Sequence, residues 1–320
     1  MDKSPPSKFD DKWIKSRRGK KNQVDPLKPY ACLIEKEHTI SGNVEDVATI
    51  FLTNKECPFT CLMCDLWKNT TDYRVPPGNI PNQIEWAISR MPPVQHIKLY
   101  NSGNFFDVQA IPQEDYKDIA RLLRGFNTVI VESHPKLISQ KSLEFRDLLE
   151  SELEIAIGLE TIHPEVLPLL NKQMGTDDFK QSVKYLLKNE IRSRAFILLR
   201  PPYLSEAEGI EWAKKSIDFA FECGVECCVV IPTRQGNGAL EELEKQGHFS
   251  LPAIHSLEEV LDYGLGLKAG RIFADLWDIE LFSTCDTCLL QRRKRLEACN
   301  LQQHIMEPIS CRCDPQRVKL

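Results

Sequence analysis

The sequence repeats one pattern six times, an apolar stretch rich in β-branched residues followed by a stretch with helical periodicity. The predicted strands are residues 47–53, 96–100, 128–131, 153–159, 194–199 and 227–231, and the predicted helices are residues 84–91, 116–125, 142–151, 177–189, 206–223 and 257–267. This alternation predicts a parallel sheet with right-handed crossovers. We therefore predict an α/β fold, a closed or partly closed TIM-like barrel whose chemistry lies at the C-terminal ends of its strands. Residues 273–282 are a further strand-like run that extends the predicted sheet.

Three cysteines, Cys57, Cys61 and Cys64, follow the first predicted strand with the spacing C-x3-C-x2-C. Thiolates are the usual protein ligands of iron–sulfur clusters, and a [4Fe–4S] cube normally takes four of them. Structural zinc also takes four ligands, usually from two close pairs. The next cysteine is only Cys223, and the nearest histidine downstream is His96. The triplet therefore favours a cube with one open iron over a zinc knuckle completed from afar or three chance thiols.

This segment resembles the radical S-adenosylmethionine (SAM) superfamily. The resemblance implies that Cys57, Cys61 and Cys64 hold a [4Fe–4S] cluster whose open iron chelates the amino and carboxylate groups of SAM. It also implies that an electron, supplied by a donor of the flavodoxin or ferredoxin type, cleaves SAM to a 5′-deoxyadenosyl radical. The family fold is a partial (β/α)6 barrel, which agrees with the strand–helix pattern. Met63 departs from the family pattern, because many members carry an aromatic residue there.

Four further segments extend the resemblance: residues 97–107, 131–133, 156–161 and 198–203. Together they are similar to the branch that contains the archaeosine-forming radical SAM lyase of archaea and the elongator-type proteins, over roughly residues 45–270. The archaeosine-forming enzyme acts on a lysine-bearing deazaguanine in tRNA and cleaves the lysine C–N bond. The resemblance thus implies a modified tRNA nucleobase as substrate. A small molecule or a peptide is the alternative, because fold does not fix function.

Polar residues end the predicted strands, where a barrel binds its ligand. The predicted SAM-binding residues are Ser102, Gly103, Glu132, Ser133, Glu160 and Arg200. By resemblance, Ser102 and Gly103 occupy the place of the family's GGE motif, although its acidic third residue is missing. The carboxylates accept hydrogen bonds from ribose hydroxyls or an ammonium, and the guanidinium matches a carboxylate bidentately. Each residue also has a plainer interpretation as part of a turn or as a loop cap.

A second group of cysteines lies near the C-terminus: Cys285, Cys288, Cys299, Cys311 and Cys313. A C-x2-C pair with later cysteines is a metal-site signature. Two interpretations stay open, a zinc ion held by four of the five thiolates or an auxiliary iron–sulfur cluster. Between the pairs, the basic residues 291–295 form a helix-like segment that either meets phosphates or lies in solvent. The remaining cysteines are expected to be core or idle residues: Cys32, Cys223, Cys227 and Cys228.

The 320 residues are predicted to divide into a flexible basic arm (1–30), a radical SAM barrel domain (31–272) and a Cys-rich C-terminal extension (273–320). Net charge is −5, yet residues 12–28 hold seven basic residues against one acid, Asp25. Such an arm either binds nucleic acid or is a solvated leader. The rival from another class is therefore a non-catalytic, metal-stapled RNA-binding protein. Clustered cysteines, with neither a signal-peptide core nor a long apolar run, predict a cytoplasmic protein without a membrane partner.

Overall fold

The computed structural model of the protein describes residues 9–313. One sheet of eight strands runs in chain order, with β1 antiparallel to β2 and every later strand parallel to the strand before it. The strands are β1 (Ala31–His38), β2 (Val44–Phe51), β3 (His96–Tyr100), β4 (Thr128–Ser133), β5 (Glu152–Glu160), β6 (Arg192–Leu199), β7 (Cys227–Pro232) and β8 (Arg271–Ala274). The six predicted strands correspond to β2–β7.

Helices join the parallel strands, as the helical periodicity predicted. They are α1 (Asp11–Arg17), α2 (Asn79–Ile88), α3 (Tyr116–Leu122), α4 (Gln140–Leu148), α5 (Val166–Leu169), α6 (Thr176–Lys188), α7 (Glu206–Cys223), α8 (Ala239–Lys245), α9 (Ile254–Leu267) and α10 (Asp286–Gln302). The α/β partial barrel is therefore confirmed. Within residues 9–313, no helix combines the length and the apolar character needed to cross a lipid bilayer.

The two outer strands differ from what the sequence predicted. Strand β1 was not predicted, because its second half, residues 35–38, is polar and five of its eight side chains are exposed. The prediction that residues 273–282 form a strand is only partly correct, since β8 ends at Ala274 and Ile279–Phe282 is a 3-10 helix.

The sheet curls so that its first and last strands approach each other. Arg271 of β8 donates from Nη1 to the carbonyl oxygen of His38 in β1, 3.1 Å away. Helix α10 then covers the free edge of β8. Its Asn300 side chain pairs with both backbone groups of Ala274, and the Gln303 side chain, just past the helix, pairs with both of Ile272. These amides take the place of a neighbouring strand, so the edge is not left open for pairing with other chains.

Charged side chains fill the interior of the barrel away from the strand C-termini. The buried members are Glu37, Lys98, Glu154, Arg194 and Arg271. Arg194 contacts both Glu37 and Glu154, at 2.5 Å and 2.6 Å. Burial opposes the ionisation of Glu37, but Arg194 and Lys98 outweigh it and hold the pKa of this carboxyl well below its usual range. The network therefore closes one end of the barrel, and the other end is the mouth.

Residues 9–30 pack against the barrel. Ile14 of α1 is 2% exposed and lies in an apolar group with Leu62, Ala239, Leu240, Leu243 and Phe249. Arg18 forms an ion pair with Glu56, 2.5 Å long, beside the cysteine triplet. These contacts differ from the flexible arm that the sequence predicted, because α1 has an apolar face to bury as well as a basic one. Residues 1–8 of that arm lie outside the described residues.

Candidate metal and cofactor site

The cysteine triplet lies on the loop of residues 52–65, named the cluster loop here, at the C-terminal end of β2. Two asparagines from other strand–helix connections hold its backbone. Asn171 donates to the carbonyl oxygen of Thr60 at 2.8 Å, and Asn237 donates to that of Leu62 at 2.6 Å. The Leu62 N–H in turn donates to Leu170. The loop is therefore fixed at the mouth by main-chain contacts that do not use the thiols.

The three cysteines of the triplet are half-buried. Burial raises the pKa of Cys57, Cys61 and Cys64 to about 12 each, so without a metal they carry their protons. Lys172 opposes this effect at Cys57 and Cys61, because its positive charge favours the thiolate. Buried thiols become thiolates when a metal binds and displaces their protons. The donor set, sulfur with a nearby cation, therefore fits an iron–sulfur cluster.

The turn after β3 packs directly on the cluster loop. A Cβ atom at Gly103 would lie 3.1 Å from the Cys57 Cβ, so a larger residue there would crowd the cysteine. Glu132 holds the turn, since its Oε1 accepts the N–H groups of Asn101 at 2.7 Å and Gly103 at 3.2 Å. Ser102 has a left-handed backbone, with φ 52°, and its hydroxyl lies 2.8 Å from the Tyr30 hydroxyl. The structure thus brings Ser102, Gly103 and Glu132 together beside Cys57.

Burial raises the pKa of Glu132 to about 7, although the N–H groups of the turn favour its charged form. The next inward-facing residue of this chain segment, His134, stacks on Phe59 of the cluster loop with ring centroids 3.8 Å apart. His134 Nδ1 accepts the Lys136 N–H, so Nε2 carries the proton and donates to the Lys172 carbonyl. Burial, aided by Lys172, lowers the pKa of His134 to about 4. His134 is therefore neutral near pH 7 and links two loops of the mouth.

Glu160 ends β5 at the mouth and forms a buried ion pair with Lys172, Oε1 to Nζ 2.5 Å. Its backbone is left-handed, with φ 67°. Gly158 makes room for this pair, because a Cβ atom there would lie 2.2 Å from both charged groups. A left-handed backbone is uncommon in a residue other than glycine, and such residues concentrate at functional sites.

Two of the predicted SAM-binding residues are directed elsewhere. Side chains alternate along a strand, so Ser133 lies on the face of Val129 and Val131, which pack against the helices. Arg200 has a left-handed backbone, with φ 54°, and its guanidinium donates to the Glu206 carboxylate and to the carbonyl oxygens of Leu204 and Leu251. Neither side chain therefore joins the group around Glu132.

Several residues of the mouth were not predicted from the sequence. Asn104 donates to Cys57 Sγ at 3.0 Å, and Lys172 pairs with Glu160. The Asn101 side chain is 0% exposed, and both of its polar atoms lack a hydrogen-bond partner. An unpaired buried amide indicates a missing ligand or water. Asparagine is common in turns, so only the position of Asn101 and Asn104 at a strand end would have signalled them.

The C-terminal cysteines form a second site. Cys285, Cys288, Cys311 and Cys313 have sulfur atoms that all lie within 4.8 Å of one another, the one such group of metal-binding side chains among residues 9–313. Sulfur atoms are 3.8 Å apart in the pair Cys285–Cys311 and 3.5 Å apart in the pair Cys288–Cys313. Arg292 donates to Cys288 Sγ at 3.2 Å and thus places a positive charge beside the thiols.

The fifth cysteine of the predicted tail group is not part of this site. Cys299 is fully buried in the main core. It follows Cys288 by eleven residues on α10, which is about 16 Å along a helix axis. Cys227 and Cys228, which the sequence predicted to be core or idle residues, are buried, whereas Cys32 is exposed. All twelve cysteines lie within residues 9–313, and none forms a disulfide.

The basic segment of α10 is only partly exposed. Arg292 and Arg295, three residues apart, face α9, where they form ion pairs with Glu258 and Asp262 respectively. Arg293 and Lys294 are exposed. The segment therefore serves in large part to attach α10 to the barrel.

Comparison with known proteins finds relatives in sequence and in fold. No family model matches the chain. The sequence is 25% identical over 267 residues to an uncharacterized protein of Methanocaldococcus jannaschii, covering 78% of this chain and 73% of that one. It is 25% identical over 210 residues to archaeosine synthase subunit beta of Thermococcus kodakarensis, covering 63% of this chain and 65% of that subunit.

The fold is similar to that of the archaeal Methanocaldococcus infernus Elp3 with an N-terminal deletion, with a TM-score of 0.50 and 18% identity over 70% of this chain and 59% of that one. This chain spans less than two thirds of the length of both the Thermococcus subunit and Elp3. The predicted resemblance to the radical SAM superfamily is confirmed as a similarity in sequence and in fold. Within it, the chain is similar to the branch of archaeosine-forming and elongator-type proteins.

Proposed function

We propose that this protein holds a [4Fe–4S] cluster through Cys57, Cys61 and Cys64 and uses it for radical SAM chemistry. The observation that carries the proposal is the cluster loop itself, three half-buried cysteines at the C-terminal end of β2, on a loop held by Asn171 and Asn237. Three thiolates leave one corner of a cube without a protein ligand. When bound there and reduced, such a cluster would supply the electron for the reductive cleavage of SAM.

The residues beside the loop are the proposed SAM site. Gly103 allows close approach of a ligand to the turn, and Glu132 fixes the direction of the turn N–H groups. Asn101 offers a buried amide without a partner. Glu160 is held by Lys172 with one carboxylate oxygen, which leaves the other to accept from a ligand. We therefore retain Ser102, Gly103, Glu132 and Glu160 as SAM contacts, and we do not extend the proposal to Ser133 or Arg200.

The proposed substrate is a modified nucleobase of tRNA. Its support is the similarity to archaeosine synthase subunit beta and the exposed basic face of α1, which carries Lys12 and Lys15 beside the cluster loop. Lys20 is also exposed, just past α1. Phosphates bind such surfaces electrostatically. A small molecule or peptide is the alternative substrate, and the basic face favours the nucleic acid.

For the C-terminal site, we propose one zinc ion bound by Cys285, Cys288, Cys311 and Cys313. A tetrahedron with metal–sulfur bonds of ~2.3 Å has sulfur–sulfur edges of about 3.8 Å. The sulfur pairs at 3.8 Å and 3.5 Å fit these edges. The thiolates of a cube bind different irons and lie farther apart, so the spacing favours zinc over an auxiliary cluster.

Free thiols and metal sites suit a reducing cytoplasm. The proposed electron donor there is a protein of the flavodoxin or ferredoxin type.

Anaerobic reconstitution tests the cluster. Wild type should bind about four irons per chain at the triplet, show an EPR signal after reduction that SAM alters, and release 5′-deoxyadenosine. The Cys61→Ala variant should lose the signal and the product, while Cys32→Ala, which changes an exposed cysteine elsewhere, should keep both. Wild-type protein that binds only zinc and does not cleave SAM would contradict the proposal.

Filter binding tests the tRNA surface. The variant Lys12→Gln/Lys15→Gln/Lys20→Gln should bind bulk tRNA more weakly, with a shallower dependence on salt concentration. A control with the same change in charge replaces three exposed lysines of the outer helices, Lys117, Lys184 and Lys188. Equal affinity of both variants would exclude the face of α1 as the tRNA surface and would strengthen the small-molecule alternative.

A further inference from the structure

Asn104 connects the turn after β3 to a cysteine of the triplet. Its Nδ2 lies 3.0 Å from Cys57 Sγ, and its side chain is almost completely buried, at 2% exposed. The same sulfur also accepts the Phe59 N–H at 3.4 Å. Cys57 Sγ therefore accepts from two donors, the Asn104 side-chain amide and the Phe59 backbone N–H.

The orientation of the Asn104 amide follows from its second contact. Its other polar atom faces the backbone N–H of His134 at 2.5 Å. A backbone N–H can only donate, so the atom facing it must be the amide oxygen. The amide nitrogen must then face the sulfur, where it can only donate. The orientation of the Asn104 amide is therefore fixed by the His134 N–H, just after β4, and not by Cys57.

We propose that Asn104 sets the reduction potential of the cluster through this hydrogen bond to the Cys57 thiolate. The inference rests on the proposed function, because it requires a [4Fe–4S] cluster at the triplet. Asn104 does not contact the irons, so it is a positioning residue that acts through Cys57.

The direction of the effect follows from charge. Reduction adds one electron to the cluster and moves no atoms between bonds, so the sulfur ligands become more negative. A donor to one of these sulfurs stabilises the reduced form more than the oxidised form, and hydrogen bonds to the sulfurs are among the factors that tune cluster potentials. Removing the donor should therefore make the potential more negative and the cluster harder to reduce.

The other two asparagines provide the contrast. Asn171 and Asn237 donate to backbone carbonyls of the cluster loop, at Thr60 and Leu62, and Asn237 Oδ1 accepts the N–H groups at the start of α8. They hold the loop in place through its backbone carbonyl groups and not through a cysteine sulfur. Their loss should loosen the loop and weaken iron retention, while the potential of the cluster that remains should stay unchanged.

The test is a redox titration of the reconstituted protein with dithionite, followed by EPR. Asn104→Leu removes the donor to Cys57 without adding charge, whereas Asn104→Asp keeps an oxygen for the His134 N–H but places a carboxylate beside the sulfur. We expect both variants to bind wild-type amounts of iron, with Asn104→Leu about tenfold harder to reduce, a shift of about 59 mV to more negative potential for a one-electron couple, and Asn104→Asp shifted further by its charge. Asn237→Ala should instead lose iron faster to a chelator, with the wild-type potential.

Two outcomes overturn the inference. One is an Asn104→Leu cluster with the wild-type potential, and the other is an Asn237→Ala cluster shifted as far as Asn104→Leu, which would indicate a general response to loosening. Failure of the proposed function is distinguishable from both, because wild type itself would then show no reducible cluster signal. Iron content measured beside each titration separates a change in potential from loss of the cluster.

Discussion

The ammonium group of Lys172 lies 2.5 Å from the Glu160 carboxylate, and both side chains are about nine-tenths buried. Glu160 ends β5, whereas Lys172 follows α5, so the pair ties a strand end to the next connection. The same cation favours the thiolate forms of Cys57 and Cys61. One ion pair therefore orients a carboxylate at the mouth and places positive charge beside the predicted cluster.

Replacing Gly158 should break this pair. In Gly158→Ala, the new methyl group would lie 2.2 Å from both charged groups, so Glu160 and Lys172 must separate within a buried site. We expect a loss of about 1–3 kcal/mol in the free energy of unfolding, as for other overpacked sites. Chemical denaturation measures it. Gly175→Ala is the matched control, because nothing lies within 4 Å of its added Cβ atom. Equal stability of the two variants would contradict the assigned role of Gly158.

Glu132 should make the stability of the protein depend on pH. Burial raises its pKa to about 7 from an ordinary value of 4.5, so the folded protein keeps a proton that the unfolded chain releases. Its contribution is fully present below about pH 4.5 and is lost as pH rises towards 7, on the order of 1–3 kcal/mol. The Glu132→Gln variant cannot ionise there, so it should lose less stability between pH 5 and pH 7.5 than wild type.

Melting temperatures at the two pH values measure this difference. Glu165→Gln, at an exposed position, is the control and should follow wild type. If Glu132→Gln and wild type lose the same stability over this range, the pKa of Glu132 in the folded protein is not raised to about 7.

The sequence predicted the parts of the fold that depend on local pattern. Strands β2–β7 were predicted because their apolar runs are buried on both faces, whereas β1 is half polar, largely exposed, and pairs on one side only. For the site, the triplet was visible from its spacing. The partners of the cysteines were not, because Asn104 and Lys172 reach the mouth from distant parts of the chain. Cys299 was grouped with the tail cysteines because the spacing alone does not show that one unbroken helix separates it from Cys288 by about 16 Å.

The edge of β8 should depend on two side-chain amides of the C-terminal region. Gln303 both donates to and accepts from the backbone of Ile272, and Asn300 does the same with Ala274. The double variant Asn300→Ala/Gln303→Ala leaves these edge groups without partners, at a cost of about 1–3 kcal/mol for each group that stays buried. We expect faster amide hydrogen exchange in β8 and a greater tendency to aggregate. Gln302→Ala, the neighbouring substitution, should change neither, and unchanged exchange in the double variant would exclude the edge-covering role.

Removing the metal from the C-terminal site should loosen the end of the chain without affecting the triplet. Cys285 and Cys288 begin α10, whereas Cys311 and Cys313 follow it, so one bound ion closes the intervening segment into a loop. Losing this closure should lower the melting temperature by several degrees, because a structural metal contributes its binding energy to folding.

The variant Cys285→Ser/Cys288→Ser should lose one zinc per chain and melt at a lower temperature, yet keep about four irons and the absorbance of the reconstituted cluster. Cys299→Ser, a buried cysteine of the same helix, should keep its zinc even though it also destabilises the core. Zinc retained by the double variant, or iron lost with it, would show that the two groups of cysteines do not bind separate metals.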